Sequence, residues 1–159
     1  MVVQTKEELK KIIDNAKRDK KSVLIKRGVF DIIHPGHIYT AQKLKEKADV
    51  LIMLTVSDEL TKKKKGFRRP INLQKQRSEV LDGLKGVDYV YGDRSKSREE
   101  YIALLDYLKP TLLAVTLGDE KKRQAYTNSQ WELIEIKDKK RAEYSTTYII
   151  EKVLENYKN

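Results

Sequence analysis

No cysteine occurs among the 159 residues, which excludes a disulfide framework and any metal site built on thiolates. Histidine is nearly as scarce, with two residues in the chain. Two imidazoles without a third protein ligand at fixed spacing make an incomplete zinc site, so no metal-ligating residues are expected. Long apolar runs are missing too: the hydrophobic residues fall in short stretches, well below the ~20 consecutive positions a membrane span needs. No membrane partner is expected. The opening segment "MVVQTKEELKKIIDNAKRDKK" sets apolar residues at helical spacing among mixed charges, unlike a secretory signal or transit peptide, and points to the cytoplasm. With no linker, repeat or low-complexity stretch, the length predicts one domain over 1–159.

Charge is present in excess. The net +10 suits an anionic partner: nucleic acid, a membrane surface or a phosphorylated small molecule. The densest basic run, "TKKKKGFRRP" from Thr61 to Pro70, holds one aromatic, Phe67. It therefore lacks the interleaved stacking platform of a single-strand binder, which argues against nucleic acid. A basic nucleotide- or RNA-binding module stands as the non-enzymatic alternative.

Short β-branched runs alternate with longer helical periods. "SVLIKRG", "DVLIMLTV", "VDYVYG", "TLLAVTLG" and "WELIEI" read as strands. Helices are predicted around Leu9 to Ala16, from Gly36 to Lys47, from Leu73 to Leu84, over "REEYIALLDYL" and from Thr146 onward, with a weaker helical segment after "TLLAVTLG" and the basic run in a loop. The alternation predicts an α/β fold: a Rossmann-like, doubly wound, five-stranded parallel sheet with helices on both faces. Ligands in such sheets bind beyond the carboxyl ends of the strands. "GVFDIIHPGH" follows the first strand and "LGDE" the fourth.

Both histidines fall in that first loop, His34 and His37, separated by Pro35 and Gly36. One at the loop end and one in the first helical turn can face the same point. An imidazole donates to a phosphate oxygen near neutral pH, a glycine admits the phosphate to the backbone, and a helix N-terminus adds free N–H groups. Such a site stabilises the charge that develops when one phosphate attacks another, without a protein nucleophile. Near the end of the chain Ser145, Thr146 and Thr147 precede an apolar helical period. They read as an N-cap and also as a second anion site for distal phosphates.

"GVFDIIHPGH" with the later "STTYII" resembles the HxGH nucleotidyltransferase superfamily, and the likeness is greatest to the heptose 1-phosphate adenylyltransferase family. It extends over "TKEELKKIIDNAKRDKKSVLI", "KGFRRPINLQKQRSEVLDGLKGVDYVY" and "LKPTLLAVTLGD". The resemblance implies transfer of a nucleoside monophosphate from ATP or CTP to a phosphorylated small-molecule acceptor such as a sugar 1-phosphate, with Mg²⁺ and release of pyrophosphate. Cytidylyl transfer to glycerol 3-phosphate or another alcohol phosphate, and adenylyl transfer to flavin mononucleotide, are the enzymatic alternatives. A homodimer is left open. Catalytic roles then fall to His34, His37 and Lys65, the last chosen from the Lys62 to Lys65 run because it precedes Gly66. Val29, Phe30, Asp31, Arg77, Gly118, Asp119, Ser145, Thr146 and Thr147 would bind the nucleotide. The sequence departs from the heptose pattern at Arg27, Val29, Thr116 and Leu117. Arg27 is expected to return to the acceptor pocket the positive charge that the Thr116–Leu117 stretch lacks.

Overall fold

A computed structural model of the chain describes residues 1–127, 130–137 and 144–157, the Lys122 side chain excepted. Its elements run β1 (Val2–Val3), α1 (Lys6–Arg18), β2 (Val23–Gly28), α2 (Pro35–Lys45), β3 (Val50–Val56), α3 (Asp58–Lys65), α4 (Gln74–Asp82), β4 (Tyr89–Asp93), α5 (Arg98–Leu108), β5 (Leu112–Thr116), α6 (Glu120–Tyr126), β6 (Glu132–Ile136) and α7 (Thr146–Asn156). All strand pairings are parallel, in the order β1-β4-β3-β2-β5-β6. The chain enters the centre at β2, winds outward through β3 and β4, and returns to β5 on the other side. The switch point is therefore the β2–β5 pair.

Each central strand is buried on both faces because helices cover both. Val23 and Ile25 of β2 join Leu9 and Ile13 of α1 and Leu105 and Leu108 of α5. Leu24, on the other face, joins Ala41 and Leu44 of α2 and Leu81 of α4. The near-continuous apolar runs of "VLI" and "VLIMLTV" follow from this double covering. Helix starts are fixed by side chains: Thr5, Ser57, Ser97 and Ser145 each accept the N–H of the residue three positions on, which satisfies one free donor of the first turn.

Two expectations are corrected. The sheet has a sixth strand, the two-residue β1, which pairs with Val90 and Tyr91 and is too short to show a period. The basic run is not wholly loop: Lys62 to Lys65 form the last turn of α3, anchored by buried Leu60 and Thr61, where cations suit the negative end of the helix dipole. No helix among the described residues is long and apolar enough to cross a membrane.

Candidate active site

The loop after β2 is shaped by one close approach. A Cβ on Gly28 would stand 2.6–2.9 Å from three atoms of the Phe30 ring, so the ring folds back onto the strand end only because position 28 has no side chain. Phe30 itself adopts a left-handed φ of 52°, and its buried ring meets the His37 ring edge-on at 5.4 Å.

His34 occupies the N-cap of α2 in extended backbone without using its side chain as a cap. Its carbonyl accepts the His37 N–H at 2.9 Å, which sets both imidazoles on one side of the helix start. The rings stack with centroids 3.8 Å apart and planes 27° from parallel. Gly36 is what allows this: its absent Cβ would lie 3.0 Å from the His34 ring and 3.5 Å from the Tyr144 carbonyl. The same contact brings the start of α2 against the chain just before α7. The His37 pKa is lowered from 6.5 to about 4, first by burial, then by the neighbouring His34 and by the Lys26 ammonium. His37 is thus a neutral imidazole at neutral pH, able to donate from one nitrogen and accept at the other.

Asp31 holds the loop. Its carboxylate accepts Arg69 Nε–H at 2.7 Å and the backbone N–H groups of Ile71 and Asn72 at 2.9 Å, while Asn72 Nδ2–H donates back to the Asp31 carbonyl. Four donors from positions 69–72 are thereby fixed to one residue of the histidine loop. Arg77, expected among the nucleotide-binding residues, is held in the interior as a positioning residue. It is 1% exposed, and its guanidinium donates to the carbonyls of Val29, Val56 and Asn72 and to Asp58 Oδ1. A planar fork can join four such acceptors from separate segments, which an ammonium cannot. Val29 is half-buried and enters the site through that carbonyl.

The remaining candidates divide. Ser145 is the N-cap of α7, Thr146 is buried beside it and Thr147 is exposed. Gly118, exposed at φ +85° with open space around it, is required for backbone conformation, and Asp119 follows with its N–H donating to the Thr116 carbonyl at 3.1 Å. Lys65 is exposed at the end of α3 and makes no hydrogen bond or ion pair with a described residue. Arg27 does not supply the acceptor pocket with charge: it pairs with fully buried Asp93 and stacks 4.2 Å over the Tyr101 ring, on the α1–α5 face. Sequence reasoning missed Lys26, whose ammonium lies on the histidine face and donates to Thr116 Oγ1 at 3.1 Å. Strand alternation was the signal, since it sends Lys26 and Arg27 to opposite faces.

A parallel sheet in this order, with stacked imidazoles at a helix N-terminus beside its switch point, defines a Rossmann-like nucleotidyltransferase fold. The cytidylyltransferase-like family model matches residues 25–152, and the chain belongs to that family. Among curated proteins it is similar to the bifunctional protein HldE of Hahella chejuensis, 37% identical over 133 residues, which are 82% of this chain and 26% of that protein. The chain thus spans about a quarter of that relative's length. Among solved structures it is similar to a lipopolysaccharide core biosynthesis protein from Thermoplasma volcanium, with a TM-score of 0.60, 22% identity and coverage of 73% of this chain and 96% of that one. It is also similar to a pantoate-beta-alanine ligase from Francisella tularensis, with a TM-score of 0.63 and 15% identity over 98% of this chain and 78% of that one. Both likenesses show the fold.

Proposed function

We propose that this chain transfers a nucleoside monophosphate, from ATP in the first instance, to a phosphorylated small molecule such as a sugar 1-phosphate. The observation that carries the reading is the stacked His34–His37 pair at the start of α2, with His37 neutral near pH 7. An oxygen of the acceptor phosphate attacks the α phosphorus of the triphosphate. A new P–O bond forms, the bond from the α phosphorus to the bridging β oxygen breaks, and pyrophosphate leaves with that electron pair. Negative charge spreads over the α phosphoryl oxygens in the transition state, and imidazole N–H groups aimed there stabilise it without reorganising.

In the first turn of α2 Pro35 has no N–H and those of His37 and Ile38 go to the His34 carbonyl, which leaves the Gly36 N–H to join the imidazoles, and the hydroxyls of Ser145, Thr146 and Thr147 at the start of α7 suit the distal phosphates. Gly118 and Asp119, beyond β5, border the base and ribose. Lys65, on an exposed turn, would reach the triphosphate by swinging in from solvent. Mg²⁺ enters as part of the Mg–nucleotide substrate, offsetting triphosphate charge.

A pyrophosphate-release screen of four nucleoside triphosphates against a panel of phosphorylated acceptors tests the reading. ATP with a sugar 1-phosphate is the pair expected to turn over fastest. Release no faster than the uncatalysed background for every pair would reject it.

A further inference from the structure

Two cations, Lys26 and Arg27, stand side by side at the end of β2, and the pleat directs them to opposite faces of the sheet. Lys26 points to the face of α2. Only 8% of it is exposed, its Nζ reaches across the β2–β5 pair to Thr116 Oγ1 at 3.1 Å, and its charge is felt at the His37 imidazole. The lysine therefore places a buried positive charge on the floor of the switch point, where ligands of doubly wound sheets bind.

The transfer chemistry needs a cation there. A phosphomonoester acceptor carries a charge of about −1.5 to −2 near neutral pH and must approach a triphosphate of the same sign. In the proposed transfer the imidazoles and the start of α7 serve the triphosphate, which leaves the strand floor around Lys26 for the incoming group. We propose, on the basis of the nucleotidyltransferase reading above, that Lys26 binds the acceptor's phosphate and makes the site selective for phosphomonoester acceptors, with Thr116 anchoring the ammonium. In this role Lys26 lowers the repulsion between the two anions and orients the attacking oxygen, while the acceptor and pyrophosphate exchange places on the α phosphorus.

The test uses inorganic phosphate as the probe of the acceptor subsite, titrated by calorimetry into protein saturated with Mg²⁺ and α,β-methylene-ATP. Lys26→Met is expected to weaken phosphate binding about tenfold to a hundredfold, as for loss of one charge-assisted hydrogen bond, and to leave the affinity for the ATP analogue within about twofold. Lys26→Arg is expected to restore most of the phosphate affinity. In Lys26→Met the His37 imidazole, followed by NMR, is expected to titrate at a higher pH than in the wild type. Thr116→Val, which removes the anchor and leaves the charge, is expected to give a smaller loss and serves if Lys26→Met does not fold. Unchanged phosphate affinity in a folded variant, or an equal loss for phosphate and for the ATP analogue, would overturn the assignment. Absence of pyrophosphate release by the wild type with every acceptor would instead reject the transfer reading, while the phosphate titration would still judge Lys26.

Discussion

Arg77 donates its Nη1–H to the carbonyl of Val29, a partner 48 positions earlier in the chain, and so ties α4 to the loop that carries both histidines. The same guanidinium holds the end of β3 through Val56 and the start of α3 through Asp58. Three segments around the site are registered by one buried side chain.

Replacing Arg77 with Met strands those acceptors in the interior. The expected loss is about 2 to 4 kcal/mol of folding stability by chemical denaturation, the range for leaving a buried, hydrogen-bonded charge partner unpaired. Arg77→Lys is expected to recover less than half, since an ammonium lacks the planar fork. A change below about 0.5 kcal/mol, the size of an ordinary surface substitution, would show that the network contributes little.

Gly28→Ala puts a methyl group within 2.6–2.9 Å of the Phe30 ring. The ring must move, and with it the edge that faces His37. A cost of about 1 to 3 kcal/mol is expected, as for overpacking elsewhere, together with a shift of the His37 ring resonances. A variant with wild-type stability and unmoved His37 resonances would contradict the tight fold-back of Phe30.

The depressed His37 pKa gives a pH dependence of known sign. An unfolded chain takes up this proton near 6.5, the folded one near 4, so between those values the unfolded state binds more protons and stability rises with pH. The His37 contribution is complete above about pH 6.5 and is lost as pH falls through 4; it amounts to about 3 kcal/mol at the rate of 1.36 kcal/mol per pKa unit. His37→Gln is expected to flatten the stability curve over that window. Because the chain has only two histidines, the NMR titration is directly readable, and a His37 imidazole titrating near 6.5 in the folded protein would contradict its burial.

Much of this architecture was legible from periods alone. The five longer strands and α5 were delimited by β-branched runs and by a helical pattern ending before Pro110, and the His34–Gly36–His37 spacing predicted one residue at the cap and one in the first turn. What escaped has physical reasons. Val2 and Val3 make a strand only because Val90 and Tyr91 offer an edge. In α3 the lysines masked a helix whose core contribution rests on Leu60 and Thr61 alone. The family resemblance set Arg77 among the nucleotide-binding residues, and only the convergence of Val29, Val56, Asn72 and Asp58 on its guanidinium reveals a positioning role. Lys26 and Arg27 look equivalent until the sheet separates them: which face receives the histidines is decided by the crossover from β2 through α2 to β3, a tertiary fact.

The most direct test of the His34–His37 site is the rate of pyrophosphate release by the wild type against His34→Ala and His37→Ala, with ATP and the best acceptor from the screen. Each substitution is expected to lower kcat about a hundredfold to a thousandfold, the loss typical of a removed transition-state donor, with the affinity for ATP changed far less. Full kcat in both variants, or a loss confined to ATP affinity, would contradict the role of the paired imidazoles in the transfer step.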